Sequence, residues 1–520
     1  MSASAVHAQD NAIDISTVAP LMVSSGLPEG WQHGAFMEIF VRAYKDTNGD
    51  GIGDLKGVTQ SLDYLKDLGI QGIWLMPITR NADGDHGYAT TDFRNIDPAY
   101  GSLSDFDELI AQAHARGIGV IMDYVINHSA AQHPMFESAQ AGPGSPFYDW
   151  YVWEKTAPRG WDIWGKNPWT ETAQGAYFGT FGPHMPDFNF RNPAVLAYHQ
   201  SSLRFWLNRG LDGYRLDAVP HLVENNAVDW NDQPESRRIT GELRSLITAY
   251  PQRTVVCEAT ANPQTYAAPD LCGSAFAFGL EKHLSQAAKG QVASIQALAD
   301  YFKSAPQSMA TFASNHDIFA GKRLWDQVGG NVAQYKLAAA SYLLLPGTPY
   351  IYYGEEIGMA GLAGLEGDLP NRGPMSWTSD PQRAGFTSGA PFRAVSPNVA
   401  ANNAAAQLTK PNSLHAFYKR MLALRNSRTS LSQGSYVAPF TQGKALGYQR
   451  TSGTETSLVL INYATRPARV RVPSLPALAR LSRVDGRRAA PVVANAKGQA
   501  FVTLPAQSVQ VFDVSLASKP

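Results

Sequence analysis

Eight short apolar runs with strand character recur along this chain, at 36–44, 72–77, 119–125, 213–218, 254–258, 275–280, 309–313 and 350–353. Between several of them, as at 55–68, 105–116 and 193–209, apolar residues fall at three- and four-residue steps, the spacing of an amphipathic helix. Strands that alternate with helices are predicted to run parallel, because each helix carries the chain back to where the next strand begins. No Gly-x-Gly-x-x-Gly turn follows the first run, and eight strands over roughly 400 residues favour a closed (β/α)8 TIM barrel over an open doubly wound sheet.

Two long interruptions and a change of texture define the expected domains. After the third run, 128–186 is dense in Gly, Pro and rings, including Trp150, Trp153, Trp161, Trp164 and Trp169, and is long enough to be an inserted small domain. After the eighth, 358–411 is again rich in Gly, Pro and Ala. Both follow strand C-termini, the barrel face that carries active sites, and loops of this length usually serve function. From 431 onward, short alternating runs at 457–462, 468–472, 500–504 and 510–514 read as a C-terminal antiparallel β-sandwich. The expected layout is a mobile N-terminus at 1–30, a barrel at 31–127 and 187–430, the insertion at 128–186 and the sandwich at 431–520. Val6-x-Ala8 has the small residues of a signal-peptidase site without an apolar segment before it, which reads as a secretion-signal remnant and a periplasmic or secreted location.

Composition narrows the partners. Lys and Arg number 43 against 44 Asp and Glu, with no basic stripe, so nucleic acid is excluded as an expected partner. The densest apolar stretch, 338–353, is broken by Pro346, Gly347 and Pro349, so membrane insertion is not expected. Charged residues make up 17%, below the ~25% of an ordinary chain, while aromatics reach 11%. Scarce charge and plentiful rings suit a neutral, hydroxylated ligand bound by stacking, and equally a large aromatic core. The two cysteines, Cys257 and Cys272, can pair only if the fold brings them together; alternation along the strand turns Cys257 toward the helix layer as a core residue.

Three acids sit at strand C-termini: Asp217 in Gly213-Tyr-Arg-Leu-Asp217, Glu258 in Val255-Val-Cys-Glu258, and Asp317 in Phe312-Ala-Ser-Asn-His-Asp317. Strand alternation puts Arg215 on the same side as Asp217, and an adjacent guanidinium is expected to keep that carboxylate ionised and nucleophilic. A second acid in a more enclosed place can hold its proton, and such a division between two carboxyl groups is what glycoside hydrolysis needs. His128 and His316 also fall at strand ends, so a metal hydrolase is the competing arrangement, but no His-x-His or His-Glu-x-x-His spacing supports it.

Together with Asp123-Tyr-Val-Ile-Asn-His128, these segments resemble, in order and spacing, the four signature regions of the α-amylase family of retaining α-glucoside hydrolases, over about 36–425. The resemblance implies Asp217 as nucleophile, Glu258 as general acid and then base, and Asp317 as the ligand of the ring hydroxyls. It implies Arg215, His128 and His316 around the sugar beside the cleaved bond, Tyr88 as the stacking ring and Asp85 as a hydroxyl ligand. Arg372, in Arg-Gly-Pro-Met-Ser-Trp377, resembles a pocket segment of α-glucosidases.

Asp46, Asn48, Asp50, Ile52 and Asp54 stand at alternate positions around Gly49 and Gly51, like the start of an EF-hand loop without its distal Glu. The same spacing in oligo-1,6-glucosidase-like members implies a structural Ca2+, with Mg2+ as the other all-oxygen candidate. Met185-Pro-Asp-Phe-Asn189 resembles members intermediate between oligo-1,6-glucosidases and neopullulanases. Ala218 is amylase-like, Pro220 replaces a Lys of many amylases, and His221 is retained. The resemblance therefore implies hydrolysis of α-1,4-glucosidic bonds in starch, maltooligosaccharides or cyclodextrins. An α-glucosidase or glucosyltransferase is the alternative on the same scaffold, and a non-catalytic carbohydrate-binding protein the alternative of another class.

Overall fold

The computed structural model describes residues 13–486 and 490–516; the Val6-x-Ala8 segment lies outside them. Seven strands, β1 (Phe36–Ile39), β2 (Gly72–Leu75), β3 (Gly119–Tyr124), β4 (Gly213–Leu216), β5 (Thr254–Cys257), β6 (Ala310–Thr311) and β7 (Thr348–Tyr352), pair side by side in the order β5-β4-β3-β2-β1-β7-β6. Every ladder among them is parallel. The eighth stave is not a strand as expected over 275–280: only two residues pair, Ala275 with Cys257 of β5 and Phe276 with Ala310 of β6, yet these parallel bridges close the ring. The first run also ends earlier than its apolar pattern suggested, because Val41–Tyr44 turns into a helix after Ile39.

Alternation along the staves sorts their side chains. Phe36, Trp74, Ile121, Val256, Phe276, Ala310 and Tyr350 meet in one apolar cluster inside the ring, whereas Met37, Ile73, Val120 and Met122 join the larger core between the ring and its helices. The barrel is thus plugged by rings, and polar residues of the same inward register, such as Glu38 two positions after Phe36, are carried above the plug.

Local chemistry sets the helix ends. Asp54 accepts from Gly57 N at 2.7 Å, Ser102 and Asp105 form a reciprocal capping box, and Asn192 followed by Pro193 opens Pro193–Asn208. The helix expected over 55–68 is broken at Ser61, whose hydroxyl donates back to the Gly57 carbonyl at 2.8 Å.

The 128–186 stretch holds the helix Pro134–Ala139 and a three-stranded antiparallel sheet of Trp153–Glu154, Trp169–Thr172 and Gly175–Phe178. Ile163, Trp169, Ala176 and Phe178 give it a small core of its own. Beyond the barrel, a six-stranded and a two-stranded antiparallel sheet face each other across Leu458, Leu460, Val470, Val472, Leu504 and Phe512. Ser435–Gln442 and Ala445–Ser452 extend this sandwich beyond the strands expected from sequence. In the strand Glu455–Asn462 the alternate residues Val459 and Ile461 belong to the main core, so both faces of that strand are buried. Among the described residues no helix is long and apolar enough to cross a membrane.

Candidate active site

A cavity of about 570 Å³ opens at the C-terminal ends of the barrel strands. Asp217, Glu258, Asp317, Tyr88, His128 and Arg372 all line it, six residues from six separate stretches of chain. Beneath its floor stands Arg215, 1% exposed, above the ring of Trp74. Its Nη1 donates to Asp123 Oδ1 at 2.8 Å and to Asp217 Oδ1, and its Nη2 lies 2.9 Å from Glu258 Oε2. One guanidinium therefore serves three carboxylates. Burial, and then the nearby Glu258 and Asp123 charges, push the Asp217 carboxyl well above the usual carboxylate range in spite of Arg215. This corrects the expectation that the adjacent Arg alone leaves Asp217 ionised: the cation is shared, and the carboxyl is buried.

Ala218, the residue after Asp217, takes a left-handed backbone with φ of 49°, and its N–H turns inward to donate to Glu258 Oε2 at 3.0 Å. The acid is thereby held by a backbone donor and by Arg215.

Asp317 has a different surrounding. His316 Nε2 is 3.1 Å from its Oδ2 and Arg372 Nη2 3.1 Å from its Oδ1. Burial raises this carboxyl, but the two cations win and hold it below the usual range. His316, fully buried, is pushed down by burial, yet Asp317 and Glu38, the latter 2.6 Å from its Nδ1, bring it up to about 10. It is an imidazolium. Tyr88 lies parallel to it at 5.5 Å and donates its OH to Asp123 Oδ2 at 2.8 Å. His128 bonds the Tyr88 carbonyl at 3.2 Å and is pushed by burial down to about 3, so it is neutral.

Arg372 closes one end of the cavity, with Nη2 3.1 Å from Asp368 and Nη1 3.5 Å from Asp85. Arg393 completes this wall by pairing with Asp85 at 2.8 Å and donating to the Arg372 carbonyl at 2.9 Å. Trp164 and Phe319 also line the cavity while 62% and 59% exposed, and His221 stacks on Trp230 at 5.4 Å.

Of the residues singled out in sequence, Arg215 and His316 are in the floor rather than the lining, and Asp85 is in the end wall. Sequence reasoning gave no role to Glu38, Asp123, Asp368 or Arg393. Asp123 carried a signal, since it opens one of the four recognised segments and shares the inward register of Arg215 opposite it in the ladder. Asp368 and Arg393 lie in an aperiodic loop that offers none.

The 46–54 loop lies apart from the cavity. Asp46 accepts from the N–H groups of Asn48, Gly49 and Gly51 at 2.8–2.9 Å and from the Thr387 hydroxyl at 2.5 Å. Asn48 accepts from Asp50 N, Asp50 from Ile52 N, and Asp54 from Thr47 N, each at 2.8 Å. The loop seats tightly on the segment that leads to Arg393: a Cβ on Gly51 would meet the Ala390 carbonyl at 2.0 Å, and Phe392 N donates to the Gly51 carbonyl at 3.0 Å. Its donors are all oxygen, the chemistry of a hard cation, although among the described residues no three Asp, Glu, His or Cys side chains converge as a ligand group. Cys257 is buried as expected and forms a disulfide with Cys272.

Comparison with known proteins agrees with this geometry. The family described as "Alpha amylase, catalytic domain" matches residues 38–434. The chain is 34% identical over 462 residues to the trehalose synthase/amylase TreS of Mycolicibacterium smegmatis, covering 78% of each chain. It is 33% identical over 455 residues to alpha-amylase 3 of Dictyoglomus thermophilum, covering 84% of this chain and 86% of the relative. Among solved structures, the alpha-amylase from H. orenii superposes with a TM-score of 0.81 at 30% identity, covering 93% of this chain and 100% of that one. MutB in complex with isomaltulose gives 0.81 at 26% identity, covering 94% and 100%. With its closed barrel, its acid-ringed cavity and these matches over most of its length, the chain belongs to the alpha-amylase family and is a glycoside hydrolase of that fold.

Proposed function

We propose that the protein hydrolyses α-1,4-glucosidic bonds of starch, maltooligosaccharides or cyclodextrins with retention of configuration. The observation that carries this reading is Arg215 bridging Asp217 and Glu258, which sets two carboxyl groups on one cation at the cavity floor. Burial raises the Asp217 and Asp123 carboxyls even beside Arg215, so this cluster holds a proton. In turnover Asp217 passes its proton to Glu258 and, as a carboxylate paired with Arg215, attacks the anomeric carbon while Glu258 gives that proton to the glycosidic oxygen. The leaving sugar departs as its hydroxyl, and a β-glucosyl ester forms on Asp217. Glu258, now a carboxylate, takes a proton from water, which opens the ester and restores both groups. Asp317, kept ionised by His316 and Arg372, accepts hydrogen bonds from ring hydroxyls, and Tyr88 offers its face to the sugar.

The walled end formed by Arg372, Asp85 and Arg393 favours the second reading, an α-glucosidase or glucosyltransferase that takes one terminal unit. Relatives include alpha-glucosidases, an oligo-1,6-glucosidase and trehalose synthases. Product analysis of maltoheptaose with proton NMR decides between them. Early maltose and longer products with the α-anomer first support the amylase. Glucose alone, or transfer products, supports the second reading, and a β-anomer first overturns retention.

A structural Ca2+ on Asp46, Asn48, Asp50, Ile52 and Asp54, or Mg2+ in its place, is part of the proposal. What supports it is the all-oxygen donor set and the seating of this loop on the segment bearing Arg393. A chelator is then expected to lower the melting temperature and loosen the walled end, and metal analysis of the purified protein finding neither ion would remove the assignment. A periplasmic or secreted location is likewise proposed, supported by the Cys257–Cys272 disulfide, since such bonds persist in oxidising compartments.

A further inference from the structure

At the opposite mouth of the barrel, where the strands begin, lies a second cavity of about 390 Å³. Arg244, Arg253 and Arg450 line it together with Cys272, Gly273 and Thr348, and no Asp or Glu is in its lining. Tyr350 is its one aromatic side chain apart from His33, so it lacks the ring platforms on which sugars stack.

The cations around it are short of counter-charge. Arg450, 1% exposed, spends its donors on carbonyls, those of Gly434 at 2.9 and 3.1 Å and Leu344 at 3.1 Å. Arg425, fully buried just behind the wall, donates to the carbonyls of Leu343, Leu345 and Ser432 at 3.1–3.3 Å and to that of Gly347, while its Nε has no partner. Burial pushes Arg425 down to about 9 and Arg450 to about 10, each without a carboxylate beside it. The side chain of Arg253 is fully buried; its Nη1 and Nη2 donate to the Pro251 and Val23 carbonyls at 3.0 Å, its Nε is unpartnered, and its nearest acid, Asp212 at 3.7 Å, is claimed more closely by His114 at 2.7 Å. Arg244 has no ion-pair partner among the described residues. Its guanidinium rests over Gly273, where a Cβ would come within 3.0 Å of Nε and where φ is +79°.

Uncompensated buried cations are costly, and an anion beside them offsets that cost. We infer that this cavity is a binding site for a phosphoryl oxyanion, either inorganic phosphate or the phosphate of a sugar phosphate, held directly by Arg244 in the field of Arg253, Arg425 and Arg450. Planar guanidinium forks match the oxygens of a tetrahedral oxyanion, and the volume exceeds what a halide fills.

The test is isothermal titration calorimetry of the whole protein with potassium phosphate and, separately, glucose 6-phosphate, against potassium chloride at equal ionic strength. Wild type is expected to give saturable binding near one per chain, and the R244E and R244Q variants at least tenfold weaker binding with maltoside hydrolysis unchanged. Glucose 6-phosphate binding more tightly than phosphate identifies the sugar phosphate as the ligand; phosphate binding alone identifies the free ion. No saturable heat with either ligand overturns the site, and so does undiminished binding in both variants. Hydrolysis is assayed independently, so loss of the hydrolase reading leaves this result standing.

Discussion

The two mouths of the barrel are charged in opposite senses. At the C-terminal mouth one guanidinium, Arg215, is shared by Asp123, Asp217 and Glu258, so acid is in excess. At the N-terminal mouth Arg244, Arg425 and Arg450 have no acids of their own, so cation is in excess. Between them stands the ring plug of Phe36, Trp74, Phe276 and Tyr350, which keeps water and counter-ions from passing from one to the other. A near-neutral chain can therefore hold two strongly polarised sites, and its net charge reports neither.

The sharpest way to break the comparison is Asp217→Asn. Activity on an activated maltoside is expected to fall on the order of 10⁴- to 10⁶-fold. Removing one charge from the acid-rich mouth should at the same time raise the melting temperature, because burial and like charges already disfavour the ionised form. A lowered melting temperature would mean that acid is not in excess there. Arg215→Met should cost about 5 kcal/mol in urea unfolding, since it strands buried carboxylates without a cation.

His316 tests the pH side of the same mouth. Its folded value of about 10 lies above the free 6.5, so the imidazolium stabilises the fold fully below pH 6.5 and loses that contribution as pH climbs toward 10. The stability gap between wild type and His316→Gln is expected to be on the order of 4 kcal/mol at pH 6 and to close by pH 10. A gap that is the same at both pH values would show that the ring serves by packing alone. The smallest effect joins the two mouths. Reducing Cys257–Cys272, which closes a separation of 15 residues, should cost about 3 kcal/mol and weaken phosphate binding, because Cys272 and Gly273 line the lower cavity.

How much could be read from sequence follows the same geography. Asp217, Glu258, Asp317, Arg215, His128 and His316 were legible because each stands at a strand end inside a short contiguous segment, where alternation fixes which way a side chain points. Glu38 was hidden inside an apolar run that looked like nine residues of strand and is four. Asp368 and Arg393 were hidden because a loop without periodicity gives no rule for where its side chains land. The ring of eight was legible as a count, yet its eighth member pairs through two residues, since closure needs only enough backbone contact to bridge β5 and β6. The disulfide and the lower cavity depend on the return of the chain after β5, a tertiary fact that spacing does not encode.

Ala218 has a consequence for how such a chain can change. Its left-handed backbone aims an N–H at Glu258, and Ala218 already carries the steric penalty that a Cβ meets in that region, about 1–2 kcal/mol, to which a branched side chain would add. A lineage that enlarges this side chain must therefore tolerate a less stable fold, and substitutions that strengthen the scaffold elsewhere have to come first.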